Sequence, residues 1–385
     1  MEKFEIIATT LFGLEEVLAN ELSDLGATDI QLLNRAVKFE GDQALLYKCN
    51  LHLRTALKVL KPFAKFMVHT DNDLYKKIKK IDWDQHLSVS GTLAIEATVS
   101  GEQFTHSQFV ALRCKDAIVD KFRDKYDERP SVDLDNPDLR LNVHITDLNC
   151  SLSLDSSSTS LGKRGYRQAQ SLAPMSEVLA AGIIALSGWD KKRDFYDPMC
   201  GSGTYSIEAA LMAANIAPGR SRSFGFERWK DFDANLWSSL KKEAKEQEVS
   251  PSCKIFGSDL ESRAVEISKS NAANAGVDHL IEFKQMDFLK SDSHFNNGFV
   301  FLNPPYGERL KEEEEIIPFY KEIGTQLKHH YEGCEAWIIS SNIEALKFIG
   351  LRPSRKIRLF NGPLDCKLHK YELFKGKKGY QAKKN

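Results

Sequence analysis

Asn303, Pro304, Pro305 and Tyr306 stand directly after the apolar run from Gly298 to Leu302. An apolar run that stops at such a tetrapeptide reads as a buried strand ending at its carboxyl edge, where open α/β sheets place their ligands. The two prolines stiffen the backbone and donate nothing, so carbonyls and the Asn303 side-chain oxygen are left as acceptors. Acceptors beneath an aromatic ring suit a planar base with an exocyclic NH2, its N–H bonds held by oxygen while Tyr306 stacks on the ring. Taken alone, the tetrapeptide reads better as a proline-stiffened turn. Three acidic strand ends upstream change that balance.

The first is Asp197. It ends a short strand, Asp194 to Asp197, and Pro198, Met199, Cys200, Gly201, Ser202, Gly203 and Thr204 follow before a helical stretch from Ser206 to Ala214. Glycines two apart let a strand-to-helix loop turn tightly and bring backbone N–H groups against a ligand. Ser206 stands where a dinucleotide loop has its third glycine, and no phosphate-loop Gly-Lys-Ser/Thr follows, which disfavours a pyrophosphate or a nucleoside triphosphate. An acid four residues before the first glycine suits instead a cationic tail, such as the amino group and sulfonium of S-adenosylmethionine. Asp259 ends the next expected strand, Lys254 to Ser258, before a helix from Glu261 to Ala275, and could accept both ribose hydroxyls. Asp287 ends a third, Ile281 to Met286, and could accept an adenine amino group. Each acid is singly explained as a helix cap or turn residue. Their order along the chain, each at a strand end, is what points to a site. The expected cofactor set is Asp197, Met199, Gly201, Gly203, Thr204, Asp259, Asp287 and Asn303. The expected catalytic set is Asn303, Pro304, Pro305 and Tyr306.

These motifs resemble the S-adenosylmethionine-dependent amino methyltransferases. With Phe12-Gly13-Leu14-Glu15-Glu16, Arg164-Gly165-Tyr166-Arg167, Ala173-Pro174, Asn303 to Leu310 and Asn361-Gly362-Pro363-Leu364, nearly the whole chain resembles the THUMP-containing bacterial 23S rRNA guanine-N2 methyltransferases. In some bacteria such an enzyme is the amino-terminal half of a fusion with a second methyltransferase. This chain ends after the first half, so the second activity is not expected. The resemblance implies an α/β fold: a Rossmann-like seven-stranded class I methyltransferase domain preceded by a small ferredoxin-like module and a THUMP domain that docks RNA. The expected divisions are residues 1–60, 61–160 and 161–376, with a basic tail at 377–385.

Composition fits a multidomain enzyme. The 385 residues are 42% hydrophobic, and no apolar run approaches the roughly 18 to 20 residues that span a bilayer. The start lacks the apolar core of a signal peptide, so no membrane association and a cytoplasmic location are expected. Seven cysteines without a Cys-x-x-Cys pair suit reduced thiols, not a metal site or a disulfide framework. Cys200 reads as a small loop residue, because amine methylation needs no covalent enzyme adduct. The net charge of −1 hides an uneven division: from Arg352 onward, eleven Lys and Arg face two acids, leaving 42 against 52 before it. Local basic clusters supply sequence-independent affinity for phosphate. Lys375 to Asn385 reads as a solvated tail able to add salt-sensitive RNA affinity.

Periodicity places the remaining elements. Phe4 to Thr9 reads as a strand, and Leu14, Val17, Leu18, Leu22 and Leu25 share a helix face ending at Gly26. Thr92 to Val99, Leu139 to Ile145 and Ser151 to Leu154 read as strands around a helix from Gln108 to Lys125. On that helix Ala111, Cys114, Ile118 and Phe122 form the apolar stripe. Its Arg113, Lys115, Lys121, Arg123 and Lys125 could meet phosphates or, with Asp116, Asp120 and Asp124, form a solvated face. Asp155 to Ser160 is serine-rich, and the domain junction is expected after it. Arg164, Tyr166 and Arg167 combine phosphate-capable forks with an aromatic ring before a helix from Glu177 to Leu186. Asn215 to Ser252 reads as an insertion whose Arg220, Arg222, Phe224, Phe226, Arg228 and Trp229 either meet unpaired RNA bases or pack. A helix from Pro318 to Tyr331 and strands at Ala336 to Ser340, Lys356 to Phe360 and Lys370 to Phe374 complete the sheet.

The expectation is therefore a methyltransferase forming N2-methylguanosine in 23S rRNA, with RNA as partner and S-adenosylmethionine as cofactor. Asn303→Ala should depress turnover, Tyr306→Ala should weaken base capture and Tyr306→Phe should be tolerated. Two alternatives stay open: N2-guanine or N6-adenine chemistry on tRNA or another RNA, and a noncatalytic RNA-binding ribosome-assembly factor on the same fold. Oligomeric state is not legible.

Overall fold

The computed structural model describes residues 2–167, 175–292, 297–307 and 313–374. Ala173-Pro174, the end of the Asn303 to Leu310 motif and the basic tail fall outside them. The chain divides into two units. Met1–Thr10, Leu18–Gly162 and Pro218–Ala244 form the first; Leu11–Val17, Lys163–Ala217 and Lys245–Asn385 form the second.

In the first unit, β1 (Phe4–Thr10), β2 (Thr28–Leu33), β3 (Ala36–Gly41), β4 (Ala56–Met67), β5 (Thr92–Ser100), β6 (Ser131–Val132), β7 (Leu139–Thr146) and β8 (Asn149–Asp155) make one eight-stranded sheet. Their order is β2-β3-β1-β4-β8-β7-β5-β6. Helices α1 (Glu15–Asp24, from Leu18 in the first unit), α2 (Gln43–His52), α3 (Asp71–Lys80) and α4 (Ser107–Tyr126) connect them. The expected division at residue 60 falls inside β4, which pairs antiparallel with β1 on one side and β8 on the other. On α4, Val110, Cys114, Ala117, Ile118 and Phe122 are buried. Several of its cations meet acids instead of standing free: Arg123 on Asp120, Lys125 on Asp84 and Lys115 on Asp116.

The serine-rich stretch is buried in the first unit, whose segment ends just after it at Gly162. Ser156 and Ser157 are fully buried because Asn50 needs partners: its Nδ2 donates to Ser156 Oγ at 2.8 Å and its Oδ1 accepts from Ser157 Oγ at 2.7 Å.

In the second unit, β9 (Phe195–Asp197), β10 (Ile255–Asp259), β11 (Ile281–Gln285), β12 (Phe299–Leu302), β13 (Glu335–Ser340), β14 (Arg355–Asn361) and β15 (Leu364–Glu372) form a seven-stranded sheet ordered β11-β10-β9-β12-β13-β15-β14. The first five run parallel, and β15 is antiparallel to both neighbours. Helices here are α5 (Glu177–Ser187), α6 (Thr204–Ala213), α7 (Ala234–Glu246, to Ala244 in the first unit), α8 (Ser262–Ala275), α9 (Glu313–His330) and α10 (Ile343–Lys347). Four consecutive buried residues make β12, and Phe301 stacks on Phe195 of β9 with ring centroids 4.6 Å apart. The order reverses between β9 and β12, the switch point at which doubly wound sheets open a crevice outside their carboxyl edges. β15 starts six residues before the expected Lys370 because Cys366, Leu368 and Tyr371 are buried between half-exposed lysines. The Gly362-Pro363 turn signal hid that alternation.

The insertion packs in the first unit. Phe226 stacks on Tyr47 with centroids 4.1 Å apart, and Phe224 and Phe226 both meet Trp237 edge-on. Packing, not base recognition, occupies these rings.

Candidate active site

The cofactor loop is built from three elements. Asp197 ends β9, the loop turns, and α6 begins at Thr204. Gly201 has φ +54° and Gly203 has φ +79°, both left-handed. A Cβ at Gly203 would lie 3.1 Å from Ser268 Cβ and 3.3 Å from Phe283 Cζ, whereas the space beside Gly201 is open to 4 Å. Neighbouring elements hold the loop: Cys200 N–H donates to Ser258 O (2.9 Å), Ser268 Oγ to Gly201 O (3.0 Å) and Asn271 Nδ2 to Ser202 O (3.0 Å). Asp259 at the end of β10 accepts Gly201 N–H at 2.9 Å and Glu261 N–H at 3.0 Å. Asp259 therefore clamps the glycine turn.

Asp197 is 1% exposed. Its Oδ2 accepts Ser206 Oγ at 3.2 Å, and its Oδ1 is buried with no partner. Burial pushes its carboxyl up to about 8, with Asp259 adding to the rise and Ser206 opposing it. A buried acceptor without a donor, beside an open glycine turn, fits the ammonium of S-adenosylmethionine. Burial, reinforced by Asp197, also holds the Cys200 thiol well above its ordinary range, so Cys200 is no thiolate nucleophile. Met199 is half-buried against the core. Asp287 caps a short helical turn, accepting Leu289 N–H at 3.0 Å, and pairs with Lys290 at 3.1 Å.

Asn303 follows β12 directly. Pro304 is buried, Pro305 exposed, and Asn303 and Tyr306 half-buried. Tyr306 OH donates to Asn303 Oδ1 at 2.7 Å and accepts from Asn361 Nδ2 at 3.4 Å. Asn342 Nδ2 donates to Tyr306 O at 3.2 Å, and Tyr320 OH donates to Pro305 O at 3.2 Å and meets Ser340 Oγ at 2.7 Å. The acceptor Asn303 thus sits in a hydrogen-bond chain that the sequence did not reveal. Asn342, Tyr320 and Ser340 carry no local signal, since they converge only through the β13 and α9 packing. Asn361, from a motif noted above by resemblance, gains a physical role here.

The expected RNA contacts need correction. Arg164 and Tyr166 are 3% and 4% exposed, and both reach Glu208 of α6, at 3.4 Å and 3.1 Å. They are buried because Glu208, itself fully buried, needs donors. Arg167 Nη2 donates to Thr204 Oγ1 at 2.8 Å and to Met175 O at 2.9 Å. In the first unit, Arg222 places its guanidinium on Ser160 O and Thr159 O, each at 2.8 Å, and Arg220 is half-buried. None of the five side chains is a free surface fork.

A doubly wound sheet with a glycine turn after its first strand, a buried acid beneath it and an Asn-Pro-Pro-Tyr motif after its fourth defines an S-adenosylmethionine-dependent methyltransferase. The chain belongs to the RMKL-like methyltransferase family, whose methyltransferase domain matches residues 164–370. Residues 68–155 match the THUMP domain and residues 5–60 the RlmL ferredoxin-like domain. A Synechocystis sp. protein named as a candidate RNA methyltransferase is 42% identical over 95% of this chain and 96% of its own. The ribosomal RNA large subunit methyltransferase K/L of Syntrophotalea carbinolica is 38% identical over 96% of this chain, which spans 53% of that longer protein. Among solved structures, a candidate methyltransferase complexed with SAH superposes with a TM-score of 0.88 at 30% identity, over 98% of this chain and 100% of its own. Among the described residues, no helix is long and apolar enough to cross a membrane.

Proposed function

We propose that this protein methylates RNA in the cytoplasm, and that its product is N2-methylguanosine in 23S rRNA. One observation carries the reading: Asn303 at the end of β12 and the cofactor loop at the end of β9 lie on adjacent parallel strands, at the point where strand order reverses. The THUMP match and the names of the relatives favour RNA as the substrate.

Bound S-adenosylmethionine supplies a methyl group on a sulfonium leaving group. Asp197 would hold its ammonium through the unpartnered Oδ1. The target guanine leaves its stack at a cost of a few kcal/mol and lies against Tyr306. Asn303 Oδ1 and the Pro304 carbonyl accept the N2 hydrogens and turn the nitrogen lone pair toward the methyl carbon. The sulfonium would supply the methyl, the C–S electron pair going to sulfur as the N–C bond forms, while Asn303 and Pro304 would hold the nitrogen in line and leave its proton free to pass to solvent. No strong base is needed, so alignment carries the acceleration.

The test is transfer of labelled methyl to deproteinised 23S RNA, 16S RNA and tRNA, followed by nucleoside analysis. N2-methylguanosine in 23S RNA is expected. N6-methyladenosine, which the same acceptors would serve, or a tRNA product would keep the chemistry and discard this substrate. No transfer to any RNA would favour a noncatalytic binding factor, a reading opposed by four polar side chains kept at strand ends: Asp197, Asp259, Asp287 and Asn303.

A further inference from the structure

Arg167 is aimed at the cofactor loop. Its Nη2 rests on Thr204, the first residue of α6, and its Nε is buried with no hydrogen-bond partner. An arginine Nε without an acceptor is costly, which marks a place where an acceptor is wanted. The other orphan of the site lies beside the same helix: Ser206, two residues beyond Thr204, bonds Asp197 at the end of β9, whose Oδ1 is the buried acceptor without a donor. Beside the start of α6 therefore lie an arginine Nε–H without an acceptor and a carboxylate Oδ1 without a donor, the complement of an amino acid's carboxylate and ammonium. Glu177, 3.6 Å from Arg167, pairs with the guanidinium and holds it in place, leaving the Nε–H as the donor without an acceptor. Met175 O takes the second bond of the same nitrogen and fixes the fork's direction.

We propose that Arg167 binds the carboxylate of the cofactor's methionine moiety, and so positions the sulfonium methyl relative to Asn303. This assigns to a single arginine the discrimination between the amino-acid form of the cofactor and analogues that lack the carboxylate. Charge-assisted hydrogen bonds of this kind contribute about ten- to hundredfold in affinity.

The experiment is calorimetric binding of S-adenosylhomocysteine and of its decarboxylated analogue, the adenosyl thiopropylamine, to the full chain and to its Arg167→Ala and Arg167→Gln variants. The unaltered protein should prefer S-adenosylhomocysteine by about ten- to hundredfold, and both variants should bind the two ligands with nearly equal affinity. Loss of the preference with little change for the decarboxylated ligand is the signature of a direct carboxylate contact. A variant that weakens both ligands by the same factor would show a structural role only and overturn the proposal. So would a wild-type protein that does not discriminate between the ligands, a result that needs no variant to fold. Failure of every form to bind either ligand would instead defeat the cofactor assignment itself.

Discussion

At the residue scale, the hydrogen bond from Tyr306 OH to Asn303 Oδ1 changes what a substitution should do. From sequence alone Tyr306→Phe is silent, because the ring remains. With the hydroxyl holding the carboxamide at 2.7 Å, its removal should lower kcat several-fold while leaving cofactor affinity intact. Asn303→Ala should lower kcat by about 10²–10³-fold, the scale set by loss of one preorganised polar contact at the reacting centre, and single-turnover kinetics with saturating cofactor would separate the two effects. An equal loss of cofactor binding would remove Asn303 from the chemistry. Asp197 makes a pH prediction. Its folded pKa is raised from 3.8 to about 8, so the folded state binds the extra proton between those values. The stability this gives is complete below pH 3.8 and is lost as pH rises through about 8. Thermal melts of the unliganded protein across this range should show a decline that Asp197→Asn flattens; an unchanged slope would mean another group is responsible. The acids and Asn303 were legible as types at strand ends. Arg164, Tyr166 and Arg167 were legible as a cluster but not as inward-facing, since nothing local announces that Glu208 is buried and in need of donors.

At the scale of elements, the strand-to-loop-to-helix units were readable because each couples a short apolar run to a glycine or acid. The β9 loop and the β12 tetrapeptide fall where the pattern placed them, since buried parallel strands are near-continuous apolar runs. What escaped were elements whose faces are mixed, such as β4, where Lys58, Lys61 and Lys65 interrupt the apolar residues without a period of two, and the early part of β15. Glycines give the sharpest element-level tests. Gly203 combines φ +79° with a crowded Cβ position against Ser268 and Phe283. Gly203→Ala should destabilise the protein by about 1–3 kcal/mol and weaken S-adenosylhomocysteine binding, read by chemical denaturation and calorimetry. Gly324, inside α9, faces the carbonyl of Ile349, where a Cβ would sit 1.7 Å away. Gly324→Ala must push α9 from that backbone and should cost about 1–3 kcal/mol, with cofactor affinity unaffected. Wild-type melting by either variant would show that the packing can yield.

At the scale of the whole molecule, the two units exchange the chain repeatedly. Leu11–Val17 belongs with the second unit, where Leu14 lies under Gly182 of α5, Gly13 has φ +84° and Phe12 meets Phe360 edge-on. This gives the Phe12 to Glu16 motif a packing reason. A fragment beginning at residue 163 would lack that cover and carry Phe224, Phe226 and Trp237 without Tyr47. It should be aggregation-prone, which size-exclusion chromatography of residues 163–374 against the full chain would check; a monomeric, cofactor-binding fragment would contradict it. The same interleaving sets a timetable for synthesis. A chain made from its amino terminus reaches Asp155, the end of the eight-stranded sheet, long before Phe226 exists to stack on Tyr47. The first unit therefore waits with an exposed aromatic ring until more than half the polypeptide has left the ribosome, and its completion is tied to translation of the second-unit segment, Lys163–Ala217, that precedes Pro218.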